Sequence, residues 1–317
     1  MSLSYLCRHA MWVRVLGNSS GGPFQGRNYS AHLVHNQRHY FLVDCGEGTQ
    51  AQLYRYHAPV DRINQVFITH LHGDHVFGLF GLLTSYSLKN RERPMQLFSP
   101  PGLQELVMDV ARGCGVRFSF ALDFIEVDAE RSAKVFETAE LEVWTVPLCH
   151  RTPCAGWLFR EKPRLLNIRP ESIAEYGLQF EQIRAIKAGA DLHLPDGRVV
   201  SNDALTLPPV PPRAYAYCSD TMPSEAVIEA VQGVDLLYHE ATFTDEHAEE
   251  AAMAHHSTAR QAAEVARAAQ VGSLLLGHFS GRYADTDQHL REARAIFPNT
   301  LAAVEGEEYT VRMLERV

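Results

Sequence analysis

The sequence predicts a fold of the α/β class, on two observations. Short apolar runs typical of buried strands, such as residues 66–70, 214–218 and 273–276, alternate with longer stretches of helical apolar spacing. Residues able to bind metal or move protons follow several of these strands directly. Because binding sites in open α/β sheets form at the carboxyl ends of strands, the same pattern predicts the position of a functional site.

Length and composition favour one soluble domain with insertions, spanning residues 1–317. The chain is 46% hydrophobic and 21% charged, which is ordinary for an enzyme with a large core. The formal net charge of −9 is the wrong sign for general binding to nucleic acid. We therefore expect no DNA binding, and any polyanionic substrate must meet a local cluster of Lys and Arg.

In the first half of the chain, strands, turns and helices follow one another in short order. Asp44 lies in a turn between two predicted strands, where it either orients a ligand imidazole or simply serves as a turn acid. The predicted strands are 12–16, 31–34, 39–44, 66–70, 97–100, 124–127 and 141–146, and the predicted helices cover about 76–83 and 103–112.

The periodicity loosens over residues 156–200, which we interpret as an inserted arm. Residues 160–187 carry six Lys/Arg against four Glu, so this stretch is locally positive. It is either a substrate-binding arm or a solvated segment of mixed charge without a ligand. Beyond it, strands at 214–218, 236–238 and 273–276 alternate with helices at 223–231 and 258–270.

The strongest motif places four ligand-type side chains between residues 70 and 75, directly after a buried strand. Imidazole and carboxylate ligands without thiolate are typical of catalytic zinc. We expect one metal at His70, His72 and His150 and a second at Asp74, His75 and His278, with Asp220 bridging the two. Two such ions about 3.5–4 Å apart can share a hydroxide and hold a phosphoryl oxygen, which predicts hydrolysis.

Two further carboxylate and imidazole roles follow from phosphodiester chemistry. Asp74 can bind metal and accept a proton from the attacking water. His256, which precedes a predicted helix, can give a proton to the leaving oxygen, and Glu240 at a strand end is the candidate that holds its imidazole. No role is assigned to His255.

We expect a cytoplasmic protein. The N-terminal residues 1–10 lack a basic start followed by an apolar core. The six cysteines are scattered without a paired framework, as in a reducing compartment. Apolar runs are far shorter than the roughly 20 residues of a membrane span.

Over nearly its whole length the chain resembles the ribonuclease Z family of the metallo-β-lactamase superfamily. The motif around His70 marks only the superfamily. The stretches around Glu240 and His256, together with the ending Arg282-Tyr283, are much more specific to the family. Matching stretches are residues 16–21, 27–28, 44–50, 67–78, 147–150, 219–221, 239–243, 256–258 and 278–283.

The resemblance implies a four-layer αββα sandwich with two zinc ions per subunit. It implies cleavage of precursor tRNA after the discriminator nucleotide, leaving a 3′-hydroxyl, with Asp74 as proton acceptor and Glu240 and His256 on the leaving-group side. It further implies a homodimer in which the inserted arm grips the tRNA. The residues that the resemblance implies for substrate binding are Arg27, Asn28, Arg282 and Tyr283. Gln25 stands where the family usually has lysine.

Two alternatives stay open. A hydrolase for a small phosphodiester or another small ester would need the metal site but no basic arm. A non-catalytic RNA-binding protein would keep the fold, although the complete ligand set speaks against it.

Overall fold

The structure, a computed structural model, describes residues 11–24, 26–209 and 211–312. Gln25 and the N-terminal residues 1–10, on which the expectation about export depends, lie outside the described residues. Contacts within the chain divide it into two units. Residues 1–137, 142–160 and 213–317 form the larger unit, and residues 138–141 and 161–212 form the smaller one.

The strands follow the β-branched and aromatic runs of the sequence. In chain order they are β1 Trp12–Gly17, β2 Ser19–Ser20, β3 Ala31–Asn36, β4 His39–Val43, β5 Ile63–Phe67, β6 Met95–Ser99, β7 Leu122–Glu126, β8 Lys134–Glu137, β9 Leu141–Pro147, β10 Ala155–Glu161, β11 Asn167–Ile168, β12 Leu192–His193, β13 Val199–Val200, β14 Thr206–Leu207, β15 Ala214–Cys218, β16 Leu236–Glu240, β17 Ser273–Gly277, β18 Phe279–Ser280, β19 Thr300–Ala302 and β20 Glu308–Thr310.

The helices occupy the stretches between these strands. They are α1 Thr49–Arg55, α2 Gly73–Leu88, α3 Leu103–Gly113, α4 Pro170–Glu175, α5 Phe180–Lys187, α6 Asn202–Leu205, α7 Glu225–Ala230, α8 Ala248–Ala254, α9 Ala259–Ala268 and α10 Asp287–Arg294, with 3₁₀ turns at Val60–Arg62 and Asp245–His247. None of the helices in the described part of the chain is both long and apolar enough to cross a bilayer.

Two seven-stranded sheets form the centre of the larger unit. One has the order β20-β1-β3-β4-β5-β6-β7 and the other β19-β17-β16-β15-β10-β9-β8. Buried aromatic rings join their facing sides, with Phe67 5.1 Å from Trp157 and Phe41 5.6 Å from Phe159 between centroids. Helices cover the outer faces, α2 through apolar contacts such as Leu79 on the first sheet, and α9 on the second. The layers are therefore helix, sheet, sheet, helix.

Helix α2 begins inside the metal motif, earlier than the helix predicted from residue 76. Strand β5 ends at Phe67 rather than at residue 70, so His70 lies in a loop three residues beyond the strand. His72 occupies the N-cap position without a capping hydrogen bond from its side chain, and Asp74 and His75 lie in the first turn of the helix. An acidic side chain is favourable there because it faces the positive end of the helix dipole.

The turn after β4 packs directly against α2 through two glycines. A Cβ atom on Gly78 would lie 2.0 Å from the carbonyl oxygen of Gly46, and one on Gly46 would lie 2.3 Å from the carbonyl oxygen of Asp74. Backbone hydrogen bonds of 2.8 Å join Cys45 to His75 and to Gly78 in the same contact. This close approach fixes the metal motif against the turn that carries Asp44.

We expect the substitution Gly78→Ala to lower the free energy of unfolding by roughly 1–3 kcal/mol, because the new methyl group overlaps a backbone oxygen. Gly81 lies one turn further along the same helix and is the matched control. A Cβ there would meet only the Gln50 side chain at 3.8 Å, so Gly81→Ala should gain about 0.5–1 kcal/mol of helix propensity. Thermal unfolding of both variants measures the difference, and equal stabilities would contradict the tight contact.

The smaller unit has its own apolar cluster, built from Leu178, Ile186, Leu192 and Leu205. Phe180 at the start of α5 is 74% exposed, and Arg184 one turn later is exposed as well. Across residues 138–141 and 161–212 there are six Lys/Arg and eight Asp/Glu. The positive excess predicted for residues 160–187 therefore does not extend over the whole unit, although α5 carries Arg184 and Lys187 against Glu181.

Candidate active site

The predicted ligands lie at the carboxyl ends of strands from both sheets. His70 follows β5, His150 follows β9, Asp220 follows β15 and His278 follows β17. Since β15, β16 and β17 are parallel neighbours, their carboxyl ends meet at one edge. The structure brings all seven predicted ligand side chains together there.

One group consists of His70, His72, His150 and Asp220, with one possible ligand atom from each residue within 4.8 Å of the others. His70 Nε2 lies 2.9 Å from His72 Nδ1. His70 Nε2 and His150 Nε2 lie 3.7 and 3.9 Å from Asp220 Oδ2. Three imidazoles and one carboxylate oxygen thus face a common point.

The second group consists of Asp74, His75 and His278. The Nε2 atoms of His75 and His278 lie 3.6 and 3.7 Å from Asp74 Oδ2. The same two atoms lie 3.2 and 3.1 Å from Asp220 Oδ1. Asp220 therefore directs one carboxylate oxygen at each group, which is the arrangement expected of a bridging ligand.

These side chains are of the types that bind a divalent metal. His75 Nε2 and His278 Nε2 are buried without a hydrogen-bond partner among the described residues, although both point at carboxylates. Burial opposes ionisation of Asp220, but the imidazoles of His278 and His75 hold its pKa well below the usual range. A buried carboxylate that stays ionised among imidazoles favours positive charge at this point. Nitrogen and carboxylate donors are those of a catalytic zinc site.

Asp44 orients the imidazole of His75, a predicted ligand, and so does more than serve as a turn acid. Its Oδ2 atom lies 2.7 Å from His75 Nδ1 and accepts from Tyr217 at 3.0 Å. Its Oδ1 atom accepts from the Thr69 amide at 2.8 Å. A proton on His75 Nδ1 leaves Nε2 free for a metal. Asp44 and His278 both have left-handed backbone conformations, with φ of 54° and 57°, which the surrounding contacts hold in place.

Glu240 is buried and His256 is partly buried, and the two form a pair beside the candidate ligand groups. His256 Nδ1 lies 2.7 Å from Glu240 Oε1. Burial alone would lower the pKa of His256, but the charge and hydrogen bond of Glu240 raise it to about 9. Burial likewise opposes ionisation of Glu240, yet His256 brings its pKa down to about 2. The imidazole therefore carries a proton at neutral pH, with Nε2 available to donate it.

Local structure explains how the sequence holds this pair. Thr258 caps α9 and exchanges side-chain and backbone hydrogen bonds with Gln261. Ser257 donates to the carbonyl oxygen of Thr221 at 2.7 Å, so the loop before α9 is tied to the loop of Asp220. The His256 imidazole is thereby fixed relative to the Asp220 carboxylate.

The four predicted substrate-binding residues lie in two neighbouring loops and are already in contact with protein groups. Arg27 Nη1 donates to the Tyr283 carbonyl oxygen at 3.2 Å, and the Asn28 side chain donates to Glu305 at 2.7 Å. Arg282 is exposed and lies 5.0 Å above the Phe243 ring. The Tyr283 hydroxyl accepts from the Thr244 amide at 3.1 Å. Their roles toward RNA stay predictions.

Two residues that hold the site were not predicted from the sequence. Thr242 donates to Glu240 Oε2 at 2.6 Å, and its oxygen lies 2.9 Å from His278 Nδ1, so one hydroxyl joins the pair of Glu240 and His256 to a predicted metal ligand. The carbonyl oxygen of His255 lies 3.1 Å from His150 Nδ1. Thr242 belongs to the matching stretch 239–243, and this match could have pointed to a role for it. A backbone carbonyl leaves no such signal.

Comparison with known proteins identifies close relatives over almost the whole chain. Ribonuclease Z of Bacteroides fragilis strain YCH46 is 40% identical over 294 residues, which cover 93% of this chain and 97% of that protein. Ribonuclease Z of Cytophaga hutchinsonii is 41% identical over 298 residues, covering 94% and 95%.

Structural comparison confirms the fold. The crystal structure of human tRNase Z, short form, superimposes with a TM-score of 0.68 at 24% identity, covering 96% of this chain and all of that one. A family model described as anti-Pycsar protein Apyc1 matches residues 11–163, a range that contains the motif around His70. The predicted α/β fold of the metallo-β-lactamase type is therefore correct.

Proposed function

The chain belongs to the ribonuclease Z family, and from that premise we propose how it acts on its substrate. It is an endoribonuclease, a hydrolase that processes the 3′ ends of tRNA, which confirms the resemblance found in the sequence. We propose that it cuts precursor tRNA after the discriminator nucleotide and leaves a 3′-hydroxyl on the tRNA.

The proposed cofactor is a pair of zinc ions per subunit. His70, His72 and His150 would hold one and Asp74, His75 and His278 the other, with Asp220 between them. When bound, the ions supply Lewis acidity that makes water a nucleophile near neutral pH and neutralises charge on the phosphate. The free Nε2 atoms of His75 and His278 support this assignment.

The protein side chains would move the two protons of the reaction. Asp74 is half-buried, and the nearby imidazoles of His278 and His75 overcome burial to hold its pKa well below the usual range. It would accept a proton from the attacking water through a carboxylate oxygen. His256 would donate its Nε2 proton to the departing 3′ oxygen, while Glu240 keeps the other nitrogen protonated.

The proposal rests on the position of the pair of Glu240 and His256. The proton-donating pair lies directly beside the ligand groups, since atoms of His256, His278 and Asp220 fall within 4.8 Å of one another. A phosphate held at the metals would therefore be within reach of both the proton acceptor and the proton donor. Phosphodiester cleavage with a poorly stabilised leaving oxygen needs both.

We further propose that the smaller unit is the arm that contacts tRNA, in a homodimer that acts in the cytoplasm. The exposed Phe180 and Arg184 on α5 support the first part, since an aromatic ring and a guanidinium a turn apart suit RNA bases and phosphates. The five cysteines in the described residues are free thiols, as expected in a reducing compartment.

The test is to map the cut on a precursor tRNA carrying a 3′ trailer, with and without a chelator. We expect one cut after the discriminator nucleotide, complete loss of cleavage with the chelator, and recovery with added Zn²⁺. Cleavage elsewhere, or cleavage that survives stringent chelation, would contradict the proposed site or the proposed cofactor respectively.

A second candidate is a hydrolase for small phosphodiesters, favoured by the absence of net positive charge on the smaller unit. Arg160 pairs with Ala214 across β10 and β15, so a short turn can replace the residues between them. If the unit is the arm, this replacement abolishes precursor cleavage but spares hydrolysis of a chromogenic phosphodiester.

A point substitution tests the arm more locally. Arg184→Ala should weaken precursor binding. The matched control is Arg198→Ala, which should not weaken binding because Arg198 is already paired with Asp196 at 2.7 Å.

A further inference from the structure

The loop of residues 18–28 forms one wall of the site and is closed at its neck. The amides of Asn18 and Ser19 both donate to the Asn28 carbonyl oxygen, at 3.1 and 2.9 Å. Short strand β2 of this loop pairs with β18, which directly follows His278. Further along the loop, the Gly21 amide donates to Asp74 Oδ2 at 3.0 Å. The loop thus joins one predicted metal ligand to another.

A carboxylate from near the end of the chain holds the other side of this neck. Glu305 Oε1 accepts from the Asn28 amide, and its Oε2 accepts from Asn28 Nδ2 at 2.7 Å. Gln52, which is buried in α1, donates to the same Oε2 at 3.0 Å and to the Leu16 carbonyl oxygen at 3.0 Å. Both oxygens of Glu305 are therefore engaged, and three protein segments meet at one carboxylate.

Asn28 holds the loop neck through hydrogen bonds within the protein. Its amide, its carbonyl oxygen and its side chain all make hydrogen bonds inside the protein. Hydrogen bonds to an ionised acceptor are stronger than neutral ones, and a partly buried carboxylate left without them would be costly. The contact between Glu305 and Asn28 therefore has the strength to decide whether the loop neck is closed.

We propose that Glu305 is a positioning residue, which locks the neck of the 18–28 loop through Asn28 and so sets the loop against Asp74. On the function proposed above, this loop borders the phosphate at the cut. Loosening it weakens the placement of the RNA strand, while the metal ligands stay in position.

The experiment compares Glu305→Gln, which keeps the shape of the side chain, with Glu307→Gln, an exposed glutamate two residues away. Amide hydrogen exchange in a peptide covering residues 18–28 should become about tenfold faster in Glu305→Gln and stay unchanged in Glu307→Gln. Equal exchange in the two variants overturns the proposal. This readout needs no substrate, so it stands even if the precursor is not cleaved.

Kinetics and a double mutant complete the test. For Glu305→Gln we expect KM for precursor tRNA to rise about tenfold with a smaller change in kcat, and hydrolysis of bis(p-nitrophenyl) phosphate and bound zinc to stay at the unmodified level. Adding Asn28→Ala to Glu305→Gln should speed exchange no further, because both act through one contact. Additive effects, or an equal loss of the small-substrate activity, would overturn the proposal.

Discussion

Asp220→Asn is expected to abolish metal binding and to reduce precursor cleavage by roughly three orders of magnitude. Each oxygen of Asp220 faces a different ligand group, at 3.7 Å from His70 Nε2 and at 3.1 and 3.2 Å from the Nε2 atoms of His278 and His75. Asparagine keeps the volume of the side chain but removes the charge and one oxygen. If the site holds two cations as proposed, both should therefore be lost together.

Metal content after dialysis, and competition with a chromogenic chelator, measure this loss directly. Asp123→Asn, at an exposed position of the edge strand β7, controls for the loss of one acidic group. If Asp220→Asn retained two tightly bound metal ions, the bridging assignment would be wrong, whatever happened to the activity.

His256→Ala is expected to separate two substrates by their leaving groups. Cleavage of precursor tRNA should fall by about 10²–10⁴, because the departing 3′ oxygen needs a proton from the imidazole that Glu240 holds at 2.7 Å. Hydrolysis of bis(p-nitrophenyl) phosphate should change little, because p-nitrophenolate leaves as a stable anion. The separation depends on His256 acting as the acid rather than as a ligand.

Bound zinc in the His256→Ala variant provides the control, since His256 also has an atom within 4.8 Å of Asp220 and His278. We expect the zinc content to match that of the unmodified protein. A parallel loss of both activities, together with loss of zinc, would instead make His256 a metal ligand and remove it from the leaving-group side.

Element bounds were predicted well where the local sequence pattern alone defines them. The strand at Ala214–Cys218 was predicted with its observed bounds, because an apolar run bounded by Pro and polar residues has few alternatives. Boundaries near the site were less accurate. Strand β5 ends at Phe67 and helix α2 begins at Gly73, since the Cys45 turn and Gly46 hold this loop from outside the segment.

The sequence by itself determined the family, and it predicted the candidate ligands and the pair of Glu240 and His256, because metal binding and proton transfer tolerate few side chains and these recur in short motifs. Only the tertiary structure decided that Asp44 orients His75, that Thr242 joins the pair to His278, and that Glu305 holds Asn28. These contacts join residues tens to hundreds of positions apart. Their strength comes from burial and geometry, which exist only once the strands have brought the segments together.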